Sequence, residues 1–110
     1  MNQDLDLKGK VKQILKVVQE LAPGRSVELR IPPHAAIQCV GGRTHRRGTP
    51  PNVVEMSAET LLKLLENPVK WQQYCDLGSI SASGTNSNLG NLFAEVSKLM
   101  NSEVGSEHGK

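Results

Sequence analysis

Cys39 stands between His34 and His45, and a thiol near an imidazole is the smallest set of groups that can do nucleophilic catalysis. The imidazole would take the proton, and an electropositive neighbour would have to lower the thiol pKa. Cys39, however, alternates with Ile37 in Ala35-Ala36-Ile37-Gln38-Cys39-Val40, so it shares a face with an aliphatic residue. A buried structural thiol is the commoner outcome of that pattern. The chain is therefore expected not to be an enzyme, and thiol-dependent chemistry at Cys39 is not expected. A metal has even less to bind: His34, His45 and His108 lack ligand spacing, and neither Cys39 nor Cys75 belongs to a CxxC pair. No nucleophile elbow, Walker loop or dinucleotide-binding glycine motif occurs, so no cofactor is expected.

The other concentration of chemically capable groups is Gly42-Arg43-Thr44-His45-Arg46-Arg47-Gly48-Thr49-Pro50-Pro51-Asn52. Three guanidinium groups, an imidazole and a glycine-flexed backbone can cradle a phosphate or a carboxylate. The same residues equally describe a solvated loop whose arginines keep the protein soluble, and most surface charge clusters bind nothing specific. Pro50-Pro51 holds the backbone extended, which delivers the loop to a fixed place beside whatever follows Asn52.

These groups need elements to carry them. Val11, Ile14, Leu15, Val18 and Leu21 follow helical spacing, with Lys8, Lys12, Lys16 and Glu20 opposite, and Pro23-Gly24 ends the helix after Ala22. Ser26 to Ile31 alternates as a half-buried strand, Pro32-Pro33-His34 breaks it, and residues 35–40 form a second strand, paired as a hairpin. Val53 to Met56 is a third strand. Ser57 with Glu59 caps a helix reaching about Glu66, whose Leu61, Leu62, Leu64 and Leu65 cover an arc wide enough to need contact on more than one side. Asn67-Pro68 opens another helix, Val69 to Leu77, with a Trp71, Tyr74 and Cys75 stripe, and Gly78 closes it. Ser79 to Ser83 is a fourth strand. Asn86 or Ser87 caps a last helix bearing Leu89, Leu92, Phe93, Val96, Leu99 and Met100.

The order is α-β-β-β-α-α-β-α, an α+β fold with helices packed on a largely antiparallel sheet of at least four strands. Residues 1–101 make one domain, and the polar stretch 102–110 is expected as a disordered tail. The 110 residues, 37% hydrophobic and 22% charged, leave no material for a second core. Thirteen Lys and Arg against 11 Asp and Glu give a balance too small to mark a partner, and one Trp, one Tyr and one Phe cannot build a base-stacking platform, so no nucleic acid is expected. The polar, acidic start is unlike a signal peptide and no apolar run approaches roughly 18 residues, which implies no transmembrane segment. Two cysteines without any extracellular mark point to reduced thiols in the cytoplasm.

Ile31-Pro32-Pro33, Ala36-Ile37-Gln38-Cys39-Val40, His45 and the run Arg47-Gly48-Thr49-Pro50-Pro51-Asn52-Val53-Val54-Glu55 closely resemble the signature of the actinobacterial sterol-carrier-like domain, a branch of the sterol carrier protein superfamily. Leu61, Leu65, Trp71, the stretch Gly78-Ser79-Ile80-Ser81-Ala82-Ser83-Gly84, Leu89 and Leu92 fit the same pattern, so the likeness covers about Val27 to Leu92. The Arg47 to Glu55 run is its specific part; helix leucines suit many proteins. At Glu66-Asn67-Pro68 the sequence departs from relatives that usually carry a glycine there.

The resemblance implies helices on a twisted sheet that can enclose an apolar tunnel for sterols, fatty acyl chains or other lipids, with neither cofactor nor metal. It makes Leu61, Leu65, Trp71, Leu89, Leu92 and Phe93 the expected lining of a lipid or other apolar small-molecule site. His45, Arg47, Thr49 and Asn52 would then meet a polar head group at the mouth. Such domains commonly follow a helical bundle related to mycothiol-dependent maleylpyruvate isomerases. That association allows a second role, a protein interaction module accessory to a thiol-dependent transferase and docked through the basic 41–51 loop.

Overall fold

Alternation along the strands decides which side of the sheet is buried. In the computed structural model, which describes residues 3–42 and 52–108 and the side chains of 6–42 and 52–101, β1 (Val27–Ile31) buries Val27, Leu29 and Ile31. Its Glu28 and Arg30 point the other way. β2 (Ala35–Cys39) pairs antiparallel with β1, placing Cys39 opposite Val27 and Ile37 opposite Leu29. β3 (Asn52–Met56) pairs with β1 in parallel, and β4 (Ile80–Ser83) returns antiparallel to β3. The sheet order is β2-β1-β3-β4. The sheet is thus mixed: its outer pairings are antiparallel as expected, while the central one is parallel. Consecutive strands pair by default, but here β3 crosses to the far side of β1, where Val54 and Met56 complete a buried row with Leu29 and Ile80.

The helices cover the apolar face. α1 (Gln3–Leu21) lies over the β2 side and meets α2 (Ala58–Glu66) and α4 (Gly90–His108), while α3 (Trp71–Asp76) lies by β4. The Ser57 hydroxyl caps α2 by accepting from the Thr60 amide at 3.1 Å. The helix expected over Val69 to Leu77 is instead a short 3-10 turn, Pro68–Lys70, leading into α3, and the Asn67 side chain makes no capping bond. Neither Asn86 nor Ser87 caps α4: the Ser87 hydroxyl donates back to the Gly84 carbonyl at 3.0 Å, and Asn88 Oδ1 accepts from the Gly90 amide at 2.9 Å. The α4 backbone continues past Asn101 to His108. Trp71 and Phe93 stack with ring centroids 6.3 Å apart, joining the third and last helices.

The turn between α1 and β1 is tied to the end of β2. Val40 donates to the Ala22 carbonyl at 2.7 Å and accepts from the Ser26 amide at 2.9 Å, which holds Val40 at a φ of 66°. Gly24, at φ 148°, passes so close that an added Cβ would meet the Val40 carbonyl and the Gly41 nitrogen. Both backbone conformation and space therefore demand glycine. Gly24→Ala is expected to destabilise the fold by about 3 kcal/mol or more, read as a lower urea midpoint at unchanged slope.

Candidate functional site

The wide leucine arc of α2 resolves into two stripes. Leu61 and Leu64 are fully buried against the core, whereas Leu62 and Leu65 are half-buried and turn toward α1 and α4. Ile14 of α1 and Met100 of α4 approach the same space. Between these three helices lies an open groove of about 400 Å³, lined mainly by Ile14, Leu62, Leu65 and Met100. Lys10, Gln13, Glu66 and Asn101 form its polar rim. One wall is pinned where the Ser97 hydroxyl donates to the Leu65 carbonyl at 2.7 Å, filling an acceptor that the end of α2 leaves open. Asn101 Nδ2 in turn donates to Ser97 Oγ at 3.3 Å.

The expected lining residues are spread over several places. Leu65 reaches the α1–α2–α4 groove. Leu89 and Leu92 border a second depression of about 560 Å³, with Ala22, Val40 and Asn86. Trp71 borders a third, of about 280 Å³, beside Cys75 and Ala82. Leu61 and Phe93 are wholly interior. Where the resemblance implies a tunnel between helices and sheet, Leu29, Val54, Leu61 and Phe93 fill one packed cluster, and the described depressions open on the surface instead. Ile14, Leu62 and Met100 went unselected as lining, although the α2 arc already demanded contact on a second side.

Of the expected head-group residues, His45, Arg47 and Thr49 lie outside the described residues, as do Arg43 and Arg46 of the basic loop. Asn52 is described, and it is 3% exposed. Its Nδ2 donates to the Ser26 carbonyl at 2.9 Å and lies 3.4 Å from Ser26 Oγ, while its Oδ1 accepts from the Asn86 amide at 3.0 Å. Both ends of the carboxamide are thus engaged in joining the starts of β1 and β3 to the turn before α4. Asn52→Ala strands the Ser26 carbonyl and the Asn86 amide, and a loss of about 2 kcal/mol or more in chemical denaturation is expected.

Cys39 is fully buried on the helix-covered face, and burial pushes its thiol up to about 11. Cys75, half-buried, is also raised, first by burial and then by the Asp76 carboxylate. Both thiols are free. Burial disfavours the thiolate, so the folded protein holds Cys39 in its protonated form. Native protein is expected to leave Cys39 unalkylated by iodoacetamide in mass spectra, with full labelling only after denaturation; prompt native labelling would contradict this burial. Among the described residues no three His, Cys, Asp or Glu side chains gather into a metal-binding group, and no helix is long and apolar enough to cross a membrane.

The family comparison can be set beside this geometry. The family model described as bacterial SCP ortholog matches residues 4–94. The chain belongs to this bacterial sterol-carrier-like family. The matched span takes in α1 from Asp4, all four strands, α2, α3 and the first turn of α4, whereas the α4 residues at the groove, Ser97, Met100 and Asn101, lie beyond it. No curated protein matches the chain.

Proposed function

We propose that this sterol-carrier-like domain is a non-enzymatic binding module that holds a lipid-like ligand in the groove between α1, α2 and α4. The observation that carries the reading is an apolar floor of Ile14, Leu62, Leu65 and Met100 under a polar rim, in a volume of about 400 Å³. Small-molecule sites occupy roughly 300–1,000 Å³ and combine apolar lining with a few polar groups. An alkyl segment along the floor would remove the half-exposed Leu62 and Leu65 from water at about 25 cal/mol per Å². Lys10 and Gln13 on one rim, with Asn101 across from them, supply donors for a head group. Family membership supports a carrier over a catalyst, and the raised, buried Cys39 thiol supports it independently. The two free thiols fit a reducing, cytoplasmic setting.

Displacement titrations with fluorescent fatty acid and sterol probes test the proposal. Saturable binding at micromolar protein is expected, with Leu62→Glu and Leu65→Glu weakening it about tenfold or more while far-ultraviolet circular dichroism stays native. Ala36→Glu, exposed on the opposite face of the sheet, should leave affinity unchanged. Absence of saturable binding, or equal binding by all three variants, would remove this groove as the site.

A further inference from the structure

The chain holds two cysteines and three methionines, and four of these sulfur atoms belong to described side chains. Their surroundings rank them as targets for a peroxide. Cys39 is wholly interior, and Met56, on the covered face of β3, is 2% exposed. Cys75 is half-buried, but a thiol reacts as its thiolate, which burial and then the Asp76 carboxylate disfavour. Met100 differs on both counts. It is half-buried on the floor of the α1–α2–α4 groove, open to whatever enters there, and a thioether has no proton to lose before it reacts.

The neighbours decide what an added oxygen would do. Ile14, Leu62 and Leu65 offer it no side-chain donor, and Met100 itself packs against the core cluster. The Ser97 hydroxyl is already given to the Leu65 carbonyl at 2.7 Å, and Asn101 Nδ2 to Ser97 Oγ at 3.3 Å. Of the lining groups, Lys10 and Gln13 on the α1 rim are the side-chain donors left. A sulfoxide oxygen therefore stands unpaired on an apolar floor or turns to that rim and crosses the mouth. Either arrangement opposes an alkyl segment, because covering a polar group without a partner is costly.

We propose that Met100 is an oxidation site built into the groove: a hydroperoxide converts its thioether to the sulfoxide ahead of Met56, and the sulfoxide expels the apolar ligand. The expulsion rests on the binding reading above, whereas the site of oxidation does not. The sulfur attacks one peroxide oxygen, the S–O bond forming as the O–O bond breaks. The proton on the attacked oxygen passes to the departing one, which leaves as water from hydrogen peroxide or as an alcohol from an organic hydroperoxide. Sulfur is oxidised and the peroxide reduced. A bound alkyl chain covers Met100 and slows the step, so the empty groove is modified first. Methionine sulfoxide reductases, which return the sulfoxide to the thioether, would reopen the groove.

The full chain is treated with hydrogen peroxide at about pH 6, well below the thiol range, and its peptides are followed by mass spectrometry. Met100 is expected to gain one oxygen about tenfold or more faster than Met56, and a saturating fluorescent fatty acid probe to slow it. The treated protein should bind the probe about tenfold more weakly with unchanged circular dichroism, and reductase treatment should restore binding. Met100→Leu should show the same affinity before and after peroxide, and Met100→Gln, with a polar group in place of the thioether, should bind more weakly than Met100→Leu. Met56 oxidised as fast as Met100 would overturn the proposal. So would a Met100 sulfoxide with undiminished affinity, affinity lost through unfolding, or an equal loss in treated Met100→Leu. If untreated protein binds no probe, the groove reading and the expulsion fall together, while the rates at Met100 and Met56 still uphold or overturn the oxidation site.

Discussion

The Asn52 carboxamide holds together a junction of this fold that no tight turn can set. A hairpin fixes its own register, as between β1 and β2, but the parallel junction of β1 with β3 is made by strands remote in the chain. A slip of one residue there would turn Val54 and Met56 outward and bring Val53 and Glu55 into the core. By donating to Ser26 and accepting from Asn86, Asn52 marks where β3 begins beside β1 and where the chain turns toward α4. Its burial is tolerable because the polar atoms at both ends of the amide have partners.

The groove follows from how α2 divides its leucines once that register is set. Leu61 and Leu64 are consumed by the sheet side, so Leu62 and Leu65 can be covered only by neighbouring helices. α1 and α4 approach without closing over them. Ser97 fastens α4 to the end of α2, and Lys10 with Glu66 at the rim would lose hydration if the three helices drew together. A polar rim over aliphatic walls therefore keeps the groove open.

Much of this was legible in the sequence because period and punctuation agree. Helical spacing from Val11, the alternation of Val27, Leu29 and Ile31, and the Ser57 cap all correspond to elements in place. The Arg47 to Glu55 run resembled the family signature, and the family match over residues 4–94 agrees with it. The parallel pairing was less accessible, since alternation shows which face of β3 is buried but is silent about which strand lies beside it. Capping at α4 was misplaced for a related reason. Asn86, Ser87 and Asn88 all carry side chains that can cap, and spacing alone does not show that Ser87 turns its hydroxyl to Gly84 while Asn88 accepts from the Gly90 amide. The groove was half visible: the breadth of the α2 arc required a second contact surface, but Ile14 and Met100 come from helices far apart in sequence.

The buried thiol shows how the same geometry separates binding from reactivity. Cys39 sits opposite Val27, where the strand pleat directs it under the helices, and the surroundings that make it a good core residue hold its proton. Activation would need a cation or a hydrogen-bond donor at the sulfur, and both would have to be brought into the apolar cluster of Val27, Leu29 and Val18 without partners of their own. That cost falls on the core that supports the helix layer, so a reactive Cys39 and a stable groove compete for the same interior. The protein keeps the core, and with it a surface whose chemistry is shape and apolar area.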